Sequence, residues 1–63
     1  MQDDLFLAPG AMVRNPRRPD WGLGQVQSVI GSRVTVNFEE RGKLTLDIRH
    51  LYLEIVRPPR APR

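Results

Sequence analysis

The fold is decided by residues 33–39, Arg33-Val34-Thr35-Val36-Asn37-Phe38-Glu39, which alternate between apolar and polar side chains after Arg33. A period of two is typical of a β-strand with one buried face, so Val34, Val36 and Phe38 are predicted to point into a core. The dipeptide Gly31-Ser32 before this stretch predicts a tight hairpin turn. Glu40-Arg41-Gly42 after it predicts a second turn, in which Gly42 supplies a positive φ. Residues 33–39 are therefore the most strongly predicted strand of the chain.

Four further strands are predicted, at residues 11–14, 23–30, 43–48 and 52–56, with a single helical turn around residues 49–51. The second of these does not alternate strictly, and a β-bulge near Gln27-Ser28 would place Val26 and Val29 on one face. The side chains predicted to face inward are Val13, Val26, Val29, Val34, Val36, Phe38, Leu44, Leu46, Ile48, Leu53 and Ile55. Five short strands without a helix of normal length specify an all-β fold, a small five-stranded barrel.

The chain has 63 residues, enough for one compact domain and no second one. Residues 9–56 are expected to form the barrel. Residues 1–8 are expected to be an N-terminal segment that is flexible or caps the barrel through residues 5–7, and residues 57–63 a disordered Pro/Arg-rich tail. Because the chain has no cysteine and His50 is its one histidine, neither a disulfide nor a structural metal is expected.

The formal net charge of +3 is concentrated at one end of the chain. Acidic and basic residues balance over residues 1–22 and over residues 23–56, and the excess lies in Arg57, Arg60 and Arg63. Strong duplex binding requires a contiguous basic face, which a neutral body does not provide. The N-terminus is acidic, unlike a signal peptide, and no apolar run approaches the ~20 residues that cross a bilayer, so a cytoplasmic protein without membrane contact is expected.

A proline-spaced loop follows the first strand, with the sequence Asn15-Pro16-Arg17-Arg18-Pro19-Asp20-Trp21-Gly22. The prolines exclude a helix and stiffen the loop, and a turn with Pro19 at its second position would hold Trp21 near the tip. Trp21 is then either a structural plug over one end of the barrel or a partly exposed anchor for a protein or a base; both roles are compatible if one ring face is buried. Arg17 and Arg18 are either solvated or paired with acidic groups or phosphates of a partner.

Several short motifs resemble those of known families: Pro9-Gly10, Trp21-Gly22-x-Gly24-x-Val26, Val34-x-Val36-x-Phe38 and Gly42-x-Leu44. Residues 18–26 resemble the Arg-x-Pro-Asp-Trp-Gly-x-Gly-Gln-Val core of a family of small bacterial proteins of unknown function, with one residue fewer between Arg and Pro. More widely, the chain resembles the Tudor-like C-terminal domain of UvrD and PcrA helicases and, more distantly, the RNA-polymerase-interacting domain of CarD and Mfd. The resemblance implies an SH3-like, Tudor-type barrel that docks RNA polymerase or a helicase. It also implies docking through a sheet edge, in which Gln25, Gln27, Thr35 and Asn37 are either rim contacts or, as the pattern favours, ordinary solvent-facing polar residues.

The leading functional hypothesis is a non-enzymatic protein-interaction module of bacterial transcription or DNA repair, acting as a monomer. No nucleophile–base pair or cofactor motif is found, and no helix follows Gly22 and Gly24 as a phosphate-binding Gly-x-Gly requires, so no catalytic residue, cofactor, metal or small-molecule substrate is predicted. The predicted partner-binding residues are Arg17, Arg18, Asp20, Trp21, Leu23 and Gln25. In the alternative, a nucleic-acid-binding module, the contacts come from Arg17, Arg18, Trp21, Arg57, Arg60 and Arg63.

Overall fold

The computed structural model describes residues 7–59. Its elements are β1 (Met12–Arg14), a 3₁₀ turn (Pro19–Trp21), β2 (Gly24–Ile30), β3 (Arg33–Phe38), β4 (Gly42–Asp47) and β5 (Glu54–Arg57). The strands form one five-stranded antiparallel sheet in the order β4-β3-β2-β1-β5. The predicted all-β fold of five strands is confirmed, whereas closure of the sheet into a barrel stays a prediction. Within residues 7–59 no helix is long and apolar enough to cross a membrane.

The hairpin of β2 and β3 contains the irregularity that the sequence predicts. Its register shifts between Val26 and Ser28, so Gln27 is the extra residue of a β-bulge. Because of that extra residue, Val26 and Val29 both pack in the core although three positions separate them. The two strands are joined by a two-residue turn that begins at Gly31, whose φ is 58°.

The core is built on the predicted face of β3. Val34 and Val36 have no exposed surface and Phe38 is 2% exposed, as their alternation predicts. The buried apolar residues are Leu7, Ala11, Val13, Val26, Val34, Val36, Phe38 and Leu53. The half-buried residues packed against them include Val29, Leu44, Leu46, Ile48 and Ile55. The predicted inward set is therefore confirmed, and Ala11 is an addition to it.

Gly24 is a position of β2 at which the core leaves no room for a side chain. A Cβ atom placed there would lie 2.4 Å from Cγ1 of Val36 and 2.7 Å from Cδ1 of Phe38. Nonbonded carbon atoms rest about 3.5–4.0 Å apart, so no larger residue fits without displacing the core. The second glycine of the Trp21-Gly22-x-Gly24 motif thus serves packing.

The two ends of the domain lie beyond the predicted boundaries. Leu7 is 2% exposed within the core, in keeping with a capping role for residues 5–7, of which residues 5 and 6 lie outside the described part. At the other end β5 includes Arg57, which pairs with Met12. The backbone of Arg57 therefore continues the ladder with β1, so the assignment of this residue to a disordered tail is wrong. Residues 60–63 of the predicted tail also lie outside the described part.

The strand order corrects the expected sheet-edge surface. Gln25 and Gln27 lie on β2 and Thr35 and Asn37 on β3, and both strands have a neighbour on each side in the sheet. The strands at the ends of the order are β4 and β5. The four residues therefore belong to interior strands, with Gln25, Gln27 and Asn37 exposed to solvent, and their placement on the edge is wrong.

Candidate functional site

The loop between β1 and β2 is fixed at its start by Asn15. This residue is 6% exposed, and its side-chain Oδ1 accepts a hydrogen bond from the backbone N–H of Arg17 at 2.9 Å. Its carbonyl oxygen accepts from the N–H of Arg18 at 3.0 Å. Asn15 was not among the predicted site residues. An Asn placed before a proline is a turn signal, because its side chain bonds to the backbone two residues further on.

The predicted turn around Pro19 is present. The N–H of Trp21 donates to the carbonyl of Arg18 at 3.0 Å, which places Pro19 at the second position of the turn. The N–H of Gly22 donates to the carbonyl of Pro19 at 3.2 Å, so two overlapping turns form the 3₁₀ segment Pro19–Trp21. Trp21 thus sits at a defined point of the loop.

The end of the loop is tied to the β3–β4 turn. The N–H of Glu39 donates to the carbonyl of Leu23 at 2.8 Å, and the N–H of Glu40 donates to the carbonyl of Trp21 at 2.9 Å. The Glu39 carboxylate accepts a further bond from the N–H of Leu23 at 3.1 Å. With Asn15 at its start and these three bonds at its end, both ends of the loop are hydrogen-bonded to the fold, which lowers the conformational entropy that docking of a partner would cost.

Trp21 connects this loop to the core. Its ring lies 5.1 Å from the ring of Phe38, centroid to centroid, with the planes inclined by 57°. The Arg18 guanidinium carbon lies over the Trp21 ring at 5.2 Å from its centroid, a cation–π distance. Trp21 remains half-buried. Its packing fits the structural plug, and its remaining exposed surface is compatible with the anchor.

Arg18 also forms an exposed ion pair with Asp20, with both nitrogen–oxygen contacts at 3.4 Å. The hydrogen bonds from Arg18 lower the pKa of the Asp20 carboxyl below its ordinary value. Arg17 differs from its neighbour, since it has no ion pair with any residue between 7 and 59. The two consecutive arginines therefore present different charges to a partner: Arg18 belongs to a neutral pair, whereas Arg17 has no ion pair within residues 7–59.

The structure divides the predicted partner-binding residues among three places. Arg18, Asp20 and Trp21 form one contiguous cluster. Leu23 and Gln25 line a separate surface depression of about 370 Å³ together with Met12 and Glu39. Arg17 lines a third feature, a groove beside residues 48–52.

A groove of about 550 Å³ runs between the start of the loop and the turn after β4. We term it the Arg17 groove; its lining residues are Asn15, Pro16, Arg17, Ile48, Arg49, His50, Leu51 and Tyr52. In place of the helical turn predicted around residues 49–51, the chain makes one hydrogen-bonded turn at residues 48–50, in which the His50 N–H donates to the Asp47 carbonyl at 3.1 Å. The groove could not be predicted from any local sequence pattern, because its two walls are more than thirty positions apart in the sequence.

The Arg49 side of the groove is ordered by Asp47. The Asp47 carboxylate accepts from the Arg49 backbone N–H at 2.9 Å and from its guanidinium Nη2 at 2.9 Å. These bonds hold the pKa of Asp47 well below its ordinary range and raise the pKa of Arg49. His50 is exposed, and residues 7–59 bring together no group of three side chains that could hold a metal ion.

The residues predicted to bind nucleic acid are more scattered in the structure than the cluster of Arg18, Asp20 and Trp21. Arg57 lies beside Met12, at the end of β1 remote from the loop. Arg60 and Arg63 lie outside the described residues. Of this set, the described structure brings only Arg18 and Trp21 into contact.

Fold and site together define a small antiparallel all-β domain that presents arginine and tryptophan on a loop hydrogen-bonded at both ends. The chain belongs to the family described as "Protein of unknown function (DUF3553)", whose model matches residues 7–56. Neither the curated proteins nor the solved structures include a significant match to this chain.

Proposed function

We propose that this chain is a non-enzymatic protein-interaction module that docks a partner protein through the loop of residues 17–21. The observation that carries the proposal is the Arg18–Trp21 contact, presented on a loop whose two ends are both hydrogen-bonded to the fold. Tryptophan and arginine are the residues most enriched among interface hot spots, and prior ordering of their backbone lowers the entropy cost of binding. RNA polymerase or a helicase is the partner we favour, on the strength of the sequence resemblance.

The contact between Arg18 and Trp21 favours a protein partner over a nucleic acid. A base can stack on Trp21 only if the Arg18 guanidinium leaves the ring that it covers, and Phe38 already packs against that ring. Binding of single strands also draws strength from several phosphate contacts along one groove. Arg57 pairs with Met12 at the end of β1 farther from the loop, and the guanidinium over the Trp21 ring is that of Arg18.

The proposal is tested by measuring the affinity of the full chain for purified RNA polymerase core and for a purified UvrD-type helicase. We expect Trp21→Ala to weaken binding about thirtyfold, the effect of losing a hot spot worth about 2 kcal/mol. Arg18→Ala leaves the Phe38 packing intact and is expected to weaken binding at least about tenfold. Arg33→Ala, an exposed arginine at the start of β3, is the matched control and should bind like the wild type.

Circular dichroism of each variant establishes that it is folded before its affinity is interpreted. If the wild-type chain binds neither RNA polymerase nor the helicase, the favoured partners are rejected. Unchanged affinity of folded Arg18→Ala and Trp21→Ala would reject the loop as the docking surface. Binding to single-stranded oligonucleotides that falls steeply with salt and is lost in Trp21→Ala would instead identify a nucleic-acid-binding module.

A further inference from the structure

The Arg17 groove carries positive charge that no acidic side chain in its lining balances. Its lining residues include two arginines and a histidine and no acidic side chain. Arg49 is paired with Asp47, which lies just outside the lining. Arg17 has no carboxylate partner between residues 7 and 59. The groove is therefore complementary to a ligand that carries negative charge.

The same groove offers apolar contact. Ile48 and Leu51 contribute half-buried aliphatic side chains to it, and Pro16 lies on the opposite wall. Tyr52 is 58% exposed, an unusual exposure for an aromatic residue that could pack in the core. An aromatic ring with a hydroxyl group suits a partner that is partly apolar and partly polar.

Both walls are ordered before any ligand arrives. On one side the Asn15 Oδ1 accepts from the backbone N–H of Arg17 at 2.9 Å. On the other side the Asp47 Oδ1 accepts from the backbone N–H of Arg49 at 2.9 Å. A ligand that enters the groove meets backbone positions that are already fixed, which lowers the cost of binding.

We propose that the Arg17 groove binds an acidic peptide segment of a partner protein, with a carboxylate on Arg17 and an apolar side chain against Leu51 and Tyr52. The proposal deepens the proposed function and rests on it, because Arg17 belongs to both surfaces. Charge complementarity selects the acidic occupant. A nucleic acid is disfavoured because the groove provides one uncommitted arginine and an aliphatic wall, whereas strand binding neutralises several phosphates.

The probe is a synthetic extended peptide in which Asp or Glu alternates with Leu, titrated into the ¹⁵N-labelled full chain and measured in parallel by calorimetry. We expect amide shifts concentrated in residues 15–17 and 48–52. Arg17→Glu and Tyr52→Ala are each expected to weaken peptide binding about tenfold or more. The matched control is Arg41→Glu, which makes the same charge reversal at an exposed position outside the groove and should change the affinity less than about twofold.

Three outcomes would overturn the proposal. In the first, a peptide with Lys in place of every acidic residue binds equally well, or binding is unchanged in both groove variants. In the second, a short single-stranded oligonucleotide produces the same shifts more tightly than the acidic peptide. In the third, the peptide binds only to a full-chain Asp3→Lys, Asp4→Lys variant, which would make the chain's own acidic N-terminus the occupant. Failure here is distinguishable from failure of the proposed function, since Trp21→Ala would still weaken partner binding about thirtyfold while Tyr52→Ala would not affect it.

Discussion

Replacing Gly24 by alanine adds one methyl group where the structure has no room for it. The new Cβ would lie 2.4 Å from Cγ1 of Val36, 2.7 Å from Cδ1 of Phe38 and 2.8 Å from its Cε1. Both contacted side chains are fully or almost fully buried, so neither can swing into solvent. Gly24 also pairs with Phe38 in the β2–β3 ladder, so the backbone cannot retreat without loss of hydrogen bonds.

Overpacking of a core costs about 1–3 kcal/mol, and three contacts below 3.0 Å place Gly24→Ala near the upper end of that range. A domain of this length is stable by roughly 3–9 kcal/mol in total. A loss of about 2–3 kcal/mol lowers the melting temperature by roughly 8–24 °C, at about 4–8 °C per kcal/mol for a small domain. We therefore expect the variant to lose a large part of its stability.

Urea unfolding followed by circular dichroism measures this loss, and the double variant Gly24→Ala, Val36→Ala tests its cause. Removal of the closest contacted group should make the double variant more stable than the sum of the single changes predicts, by about 1 kcal/mol or more. Gly31 is the matched control: no atom lies within 4 Å of its added Cβ, but its φ is 58°. Gly31→Asn should therefore be tolerated better than Gly31→Ala, since Asn adopts positive φ more readily. Strict additivity of Gly24→Ala and Val36→Ala would refute the steric argument.

Three further outcomes are expected. Because Arg49 lowers the pKa of Asp47 in the folded chain, the stability that this carboxylate contributes is present above its ordinary pKa and is lost as the pH falls towards the lowered value. Asp47→Asn should thus make the urea midpoint less dependent on pH as the pH falls below about 4, and an unchanged slope there would contradict this. Leu53→Ala, at a position with no exposed surface, should cost about 2–5 kcal/mol in the same assay, and a cost below about 1 kcal/mol would show that the site collapses. The Arg14–Glu54 bridge at 2.7 Å is exposed, so a double-mutant cycle should give less than about 1 kcal/mol, and a larger coupling would indicate an ordered pair.

The alternation of apolar and polar residues, together with the one position where it breaks, predicted most of the sheet. The period of two in β3 identified Val34, Val36 and Phe38 as core residues, because a strand with one buried face has no other arrangement. The break in period in β2 located the bulge at Gln27, since one extra residue restores the phase. The buried face of β3 and the bulge of β2 each depend on a few consecutive residues, so the local sequence is enough to predict them.

Features that depend on distant pairing were not predicted. The order of strands places β1 between β2 and β5, which makes β2 an interior strand and turns the expected edge residues Gln25 and Gln27 into residues of that strand. Arg57 joins the sheet only because Met12 offers it a partner more than forty positions away. The Arg17 groove likewise arises from two segments that meet only in the folded chain.

The contact between Trp21 and Phe38 gives this protein an optical property of its own. Trp21 is its one tryptophan, so ultraviolet emission excited at the red edge of absorption comes from a single indole at the junction of loop and core. Unfolding would separate the indole from Phe38 and shift the emission towards that of an indole in water. Docking on the loop would instead remove water from the exposed part of the ring and move the emission the other way. The opposite signs allow folding, and docking of a partner segment without tryptophan, to be followed in one cuvette without a label.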